Sequence, residues 1–142
     1  MPTPEELANW AKNYAELWNA GDKEAWIANW KKVCYGDFKM WDPVGTPPKF
    51  DFVGCCLEPY DLFQPSLQMY IDPETLFVCG NEVSFVMANT FTKDGKSQVM
   101  KSIENYRFGE NGSCEIRTYY DVPSADDPIS GHLFSEYLPD DT

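Results

Sequence analysis

An α+β fold is expected from three features of this 142-residue chain. Two capped amphipathic helices open it, a proline-chopped stretch fills the middle, and three long alternating segments joined by tight turns close it. Helices gathered at one end and antiparallel strands at the other define that class, and the length is that of one domain.

The first helix starts at Thr3-Pro4-Glu5-Glu6. Thr3 suits the cap, Pro4 the first helical position, and Glu6 completes a capping box. Leu7, Trp10, Tyr14, Leu17 and Trp18 recur at helical spacing until Asn19-Ala20-Gly21, where Gly21 can take a left-handed cap. Asp22 caps a second helix to about Lys32, with Ala25, Trp26 and Trp30 as its apolar stripe. Cys34 to Trp41 reads as a strand running into a turn, Asp42 to Pro48. From Lys49 to Pro73, Pro59 and Pro65 break the pattern, and short helical turns are expected. Leu76 to Cys79 is a short apolar run ending at Gly80-Asn81. Glu82 to Thr92 is a strand with Val83, Phe85, Met87, Asn89 and Phe91 on one face. Lys93-Asp94-Gly95-Lys96 is a hairpin turn. The return strand, Ser97 to Phe108, puts Met100, Ser102, Glu104 and Tyr106 on one face. After a turn at Gly109 to Gly112, Cys114, Ile116, Thr118 and Tyr120 alternate along the last strand.

A net charge of −12 argues against nucleic acid, whose phosphates require a basic face, and against anionic membranes. Six acidic residues and no Lys or Arg follow position 120, so the sequence divides into a body, 1–122, and an acidic C-terminal extension, 123–142. Leu133, Phe134, Tyr137 and Leu138 form an apolar cluster within that extension. The cysteines, Cys34, Cys55, Cys56, Cys79 and Cys114, are odd in number and lack zinc spacing. They read as reduced thiols of a cytoplasmic protein, mostly packed in the core. His132 is the sole histidine, and there is no glycine-rich phosphate loop. Acid–base chemistry here must therefore rest on carboxylates and tyrosines, with no metal or cofactor expected.

Three polar residues sit oddly in their patterns. Tyr14 lies mid-stripe on the first helix, either as an amphipathic boundary residue or as a buried hydroxyl needing a partner. Glu104 lies on an apolar strand and faces outward or inward depending on a one-residue phase. Asp42, just before Pro43, suits a turn cap as well as a catalytic carboxylate.

Asn13-Tyr14, Leu17 to Asp22 and Trp41-Asp42-Pro43-Val44-Gly45-Thr46 resemble the start of a bacterial ketosteroid isomerase. Asn81-Glu82 through Ser102 to Phe108 resembles the same family over two strands. Ile116 to Asp121 resembles the closing strand of the wider nuclear-transport-factor-2-like superfamily, which includes the SnoaL-like proteins. The resemblance implies a cone-shaped fold: three N-terminal helices wrapped by a curved antiparallel sheet around a deep apolar pocket, in a homodimer packed through the sheet. It also implies Asp42 as general base, Tyr14 as oxyanion donor, and Glu104 where the family holds a protonated aspartic acid. Trp18, Trp30, Met87, Asn89, Phe91, Ile116, Thr118 and Tyr120 match pocket-facing positions that would bind a small apolar or polycyclic ligand. The sequence departs from the family in the extra methylene of Glu104, the amide of Asn89, and about four extra residues near Lys31 to Gly36.

The expected function is cofactor-free isomerisation of the steroid delta-isomerase type, through an enolate held in an oxyanion hole. Two alternatives stand beside it: a SnoaL-like polyketide cyclase, and a non-catalytic small-molecule-binding protein of the same fold.

Overall fold

The computed structural model describes residues 1–120; the acidic extension, with His132 and its apolar cluster, lies outside the described residues. Helix α1 spans Pro4–Asn19 and α2 spans Lys23–Lys31. Strand β1 is Phe38–Trp41 and β2 is Lys49–Phe50. A π-helical turn, Val53–Leu57, runs straight into α3, Glu58–Phe63. Strands β3 (Leu67–Ile71), β4 (Phe77–Cys79), β5 (Glu82–Lys93), β6 (Lys96–Phe108) and β7 (Cys114–Tyr120) follow.

The capping signals act as read. Thr3 accepts from the Glu6 amide at 3.2 Å while the Glu6 carboxylate accepts from the Thr3 amide at 2.8 Å. Asp22 accepts from the Ala25 amide, and Gly21 turns the chain at φ +71° between the two helices. The β5–β6 turn places Asp94 and Gly95 at φ +52° and +75°, the geometry that matches strand twist in a two-residue hairpin.

The sheet order is β2-β1-β7-β6-β5-β3, with β4 also on β5. It is mixed, because β1 runs parallel to β7. That corrects the antiparallel sheet implied by the resemblance. Alternation along β5, β6 and β7 buries the expected face of each, and the helices pack against it. An aromatic cluster joins the layers: Trp10 lies 4.8 Å from both Trp30 and Tyr106, and Trp18 lies 4.9 Å from Tyr60, ring centre to ring centre.

Two elements differ from the sequence reading. The first strand begins at Phe38, not Cys34. The Cys34 amide still bonds Trp30 O, and those of Tyr35 and Gly36 both bond Gly112 O, so these donors are spent on a turn. An added methyl at Gly36 would run into the Asn111 carbonyl. Gly36→Ala is therefore expected to cost about 1–3 kcal/mol, read from urea unfolding midpoints. Secondly, the stretch expected to hold only helical turns includes β2 and β3. Leu67–Ile71 alternates, with Gln68 and Tyr70 exposed, but over only five residues just after Pro65, and pairing with β5 makes it a strand. Its far edge is covered by α1: Asn19 donates to Met69 O and accepts from Met69 N, as a neighbouring strand would, and the Trp18 indole donates to Leu67 O.

Among the described residues no helix is long and apolar enough to cross a membrane. All five cysteines are free, with Cys79 exposed and the rest buried.

Candidate active site

A cavity of about 210 Å³ opens between the helices and the inner sheet face. Each sequence-identified site residue lines it. Tyr14, Trp18 and Trp30 come from the helices, and Asp42 from the turn after β1. Met87, Asn89 and Phe91 come from β5, Glu104 from β6, and Ile116, Thr118 and Tyr120 from β7.

The sheet register sets Glu104 across from Phe85 on one side and Thr118 on the other. Glu104 is therefore inward, and only 4% exposed. Its carboxylate accepts from Ser102 Oγ at 2.8 Å and from Thr118 Oγ1 at 2.7 Å. Asn89 extends the row by donating to Ser102 Oγ at 3.0 Å. Burial raises the Glu104 carboxyl to about 7, the Asp42 charge adds to the rise, and the Thr118 and Ser102 hydroxyls oppose it.

Asp42 is carried past the end of β1 by a turn that β7 holds, Val44 N donating to Thr118 O at 2.9 Å. Its carboxylate accepts from the Tyr120 hydroxyl. Burial raises its pKa from the ordinary 3.8, while nearby Lys49 and the Tyr120 hydroxyl pull it down. Glu104 has no cation among its perturbing groups, whereas Lys49 opposes the rise at Asp42. Tyr14 is buried on α1, and the Tyr106 hydroxyl hydrogen-bonds to it. Burial raises Tyr14 and Tyr106 well above the ordinary 10.0, so both stay protonated donors.

Several lining residues were not assigned to the site from sequence. Met100 and Tyr106 share the inward phase of Glu104, and Trp26 shares the stripe of Trp30, so the periodicity already held them. Lys49, Cys55 and Cys56 lie in the stretch without a readable period. Burial pushes the Cys55 thiol up to about 12 and that of Cys56 well above its ordinary value, so neither is a ready nucleophile. No cluster of three or more metal-ligating side chains occurs among the described residues.

The helix-wrapped mixed sheet closing on a lined cavity is a nuclear-transport-factor-2-like cone in fold, and solved structures described as SnoaL-like share that fold. A Jannaschia sp. CCS1 protein described as a SnoaL-like polyketide cyclase matches at TM-score 0.65 and 16% identity, over 85% of this chain and 89% of that one. SalBIII, an epoxide hydrolase/cyclase-like enzyme of pyran ring formation in the polyether salinomycin, matches at TM-score 0.67 and 14% identity, over 85% and 95%. A Mesorhizobium loti protein described both as a SnoaL-like polyketide cyclase and as a carbohydrate phosphatase matches at TM-score 0.56 and 19% identity, over 80% and 98%. No protein-family model and no curated protein sequence matches the chain.

Proposed function

We propose that this protein is a cofactor-free acid–base enzyme of the SnoaL-like cyclase kind, acting on a carbon beside a carbonyl. The observation that carries the reading is the shared cavity of Asp42, Glu104 and Tyr14, in which burial raises both carboxyls while Lys49 and the Tyr120 hydroxyl oppose the rise at Asp42. The cyclase-described neighbours support it.

Asp42, ionised, takes the proton from the activated carbon. The electron pair moves onto the carbonyl oxygen, where Tyr14 donates a hydrogen bond. Glu104, protonated, donates a second; its two oxygens are already engaged by wall hydroxyls, which leaves the acid proton to the cavity. The enolate carbon then attacks a second carbonyl of the same molecule. One carbon–carbon bond forms, the new alkoxide takes the proton held by Asp42, and the base is regenerated. The hydroxyl relay from Tyr106 to Tyr14 favours a second reading, double-bond isomerisation of the steroid delta-isomerase type, in which Asp42 returns the proton to a more distant carbon.

The exposed apolar residues Val99, Ile103 and Tyr119 on the outer sheet support a homodimer through that face. The free cysteines support a reducing, cytoplasmic setting.

Both reactions begin with removal of the same proton, so the test needs no knowledge of the natural substrate. Proton exchange of cyclic 1,3-diketones and β,γ-unsaturated ketones in deuterium oxide is followed by NMR. The native protein is expected to accelerate exchange in at least one class, and Tyr14→Phe to lose about 10²–10³-fold of that rate. Native protein with no effect on either class would leave a binding protein.

A further inference from the structure

We infer that Asn89 is the specificity-determining residue of this cavity, and that the site takes hydroxylated aromatic or enolic ketones whose O–H donates to the Asn89 amide oxygen. The inference rests on the cavity being a substrate site, and not on the chemistry assigned to Asp42.

Asn89 lies on β5 opposite Met100, is 3% exposed, and lines the cavity. Its amide nitrogen donates to Met100 O at 3.0 Å and to Ser102 Oγ at 3.0 Å. A backbone carbonyl only accepts, so the nitrogen end of the amide must face Met100, whichever way a side-chain amide is first assigned. Ser102 accepts from Asn89 and gives its own proton to Glu104. Donors therefore run one way along the wall, and both amide hydrogens are spent on it.

The amide oxygen is left over. Among the described residues it accepts no hydrogen bond. Nor is it sealed away: the fully enclosed side-chain atoms without a partner are the indole nitrogens of Trp10, Trp26 and Trp30 and the hydroxyl of Tyr60. It is thus an acceptor turned to the cavity on a wall otherwise satisfied. A ligand that fills the cavity strips water from this oxygen. One that brings a donor restores the bond; one that brings a methyl or ether leaves a buried acceptor bare. Because the chain cannot reverse, Asn89 does not serve a ligand carbonyl. Two hydrogen bonds, through Ser102, separate the amide from the Glu104 carboxyl. The recognised hydroxyl accordingly sits within a ring or two of the ketone that meets Glu104 and Tyr14.

The test is ligand binding to the full chain. Dissociation constants are measured for 2,6- and 2,7-dihydroxynaphthalene, their monomethyl ethers, and 2-naphthol. The expected result is that at least one diol binds about tenfold or more tightly than both its monomethyl ether and 2-naphthol. That preference should shrink below about threefold in Asn89→Leu. Equal binding of diols, ethers and 2-naphthol by the native protein overturns the inference, as does an undiminished preference in Asn89→Leu. Should Asn89→Leu not fold, asparagine side-chain carbonyls labelled with carbon-13 decide in the native protein. The Asn89 resonance should move with the preferred diol and not with its ether; the same movement with both overturns the inference. Hydroxyl selectivity without proton exchange would remove the catalytic reading alone, so the two fail separately.

Discussion

Asp42→Asn is expected to lower kcat for proton exchange by about 10³-fold, within the range a positioned general base supplies, with KM nearly unchanged. Asparagine keeps the shape and can still accept the Tyr120 hydroxyl, but it cannot take a proton. Since Asp42 contributes little apolar packing and sits in a turn held by a backbone bond from Val44 N to Thr118 O of β7, the variant should fold. A rate within threefold of native would show that the base lies elsewhere.

The second large effect is on stability against pH, and its sign is opposite to that of most carboxylates. Glu104 moves from an ordinary value of 4.5 to about 7 on folding, so the folded protein holds that proton more tightly than the unfolded chain. The stabilisation is fully present below about 4.5 and is lost as pH rises through about 7, a change on the order of 3 kcal/mol for this one group. Asp42, also raised, acts in the same direction. Unfolding midpoints in urea should therefore fall between pH 5 and 8. In Glu104→Gln, which carries no charge to desolvate, the fall should flatten. The upper limb of kcat/KM, which needs Glu104 protonated and Asp42 ionised, should turn down near pH 7 in the native protein and lose that limb in Glu104→Gln. A stability that rises over this range would mean that Glu104 is ionised and well solvated.

Much of this was legible in the sequence because local chemistry and global packing agree. Thr3 and Glu6 announce α1, Asp94-Gly95 announces the hairpin, and the period of two along β5 to β7 lists the inner face in order. The same periodicity carried Glu104 and Tyr106 inward together, although sequence alone left the phase of Glu104 open. What stayed hidden depended on partners distant in the chain. Leu67–Ile71 is a five-residue alternation that becomes a strand because β5 and the Asn19 side chain satisfy its two edges, partners that the local sequence does not name. Tyr120 was expected only as wall, and its hydroxyl becomes a donor to Asp42 once β1 lies parallel to β7. Lys49 reaches the cavity from a two-residue strand in a region with no period.

The central claim is that Glu104 keeps its proton into the neutral range in a cavity that Asp42 also faces. Carbon-13 NMR titration of the Asp42 and Glu104 side-chain carboxyls tests it most directly. The expected outcome is a Glu104 still largely protonated at pH 6, whose resonance moves with a midpoint near 7. Two carboxyls already ionised below pH 5, each titrating as if alone in water, would contradict it.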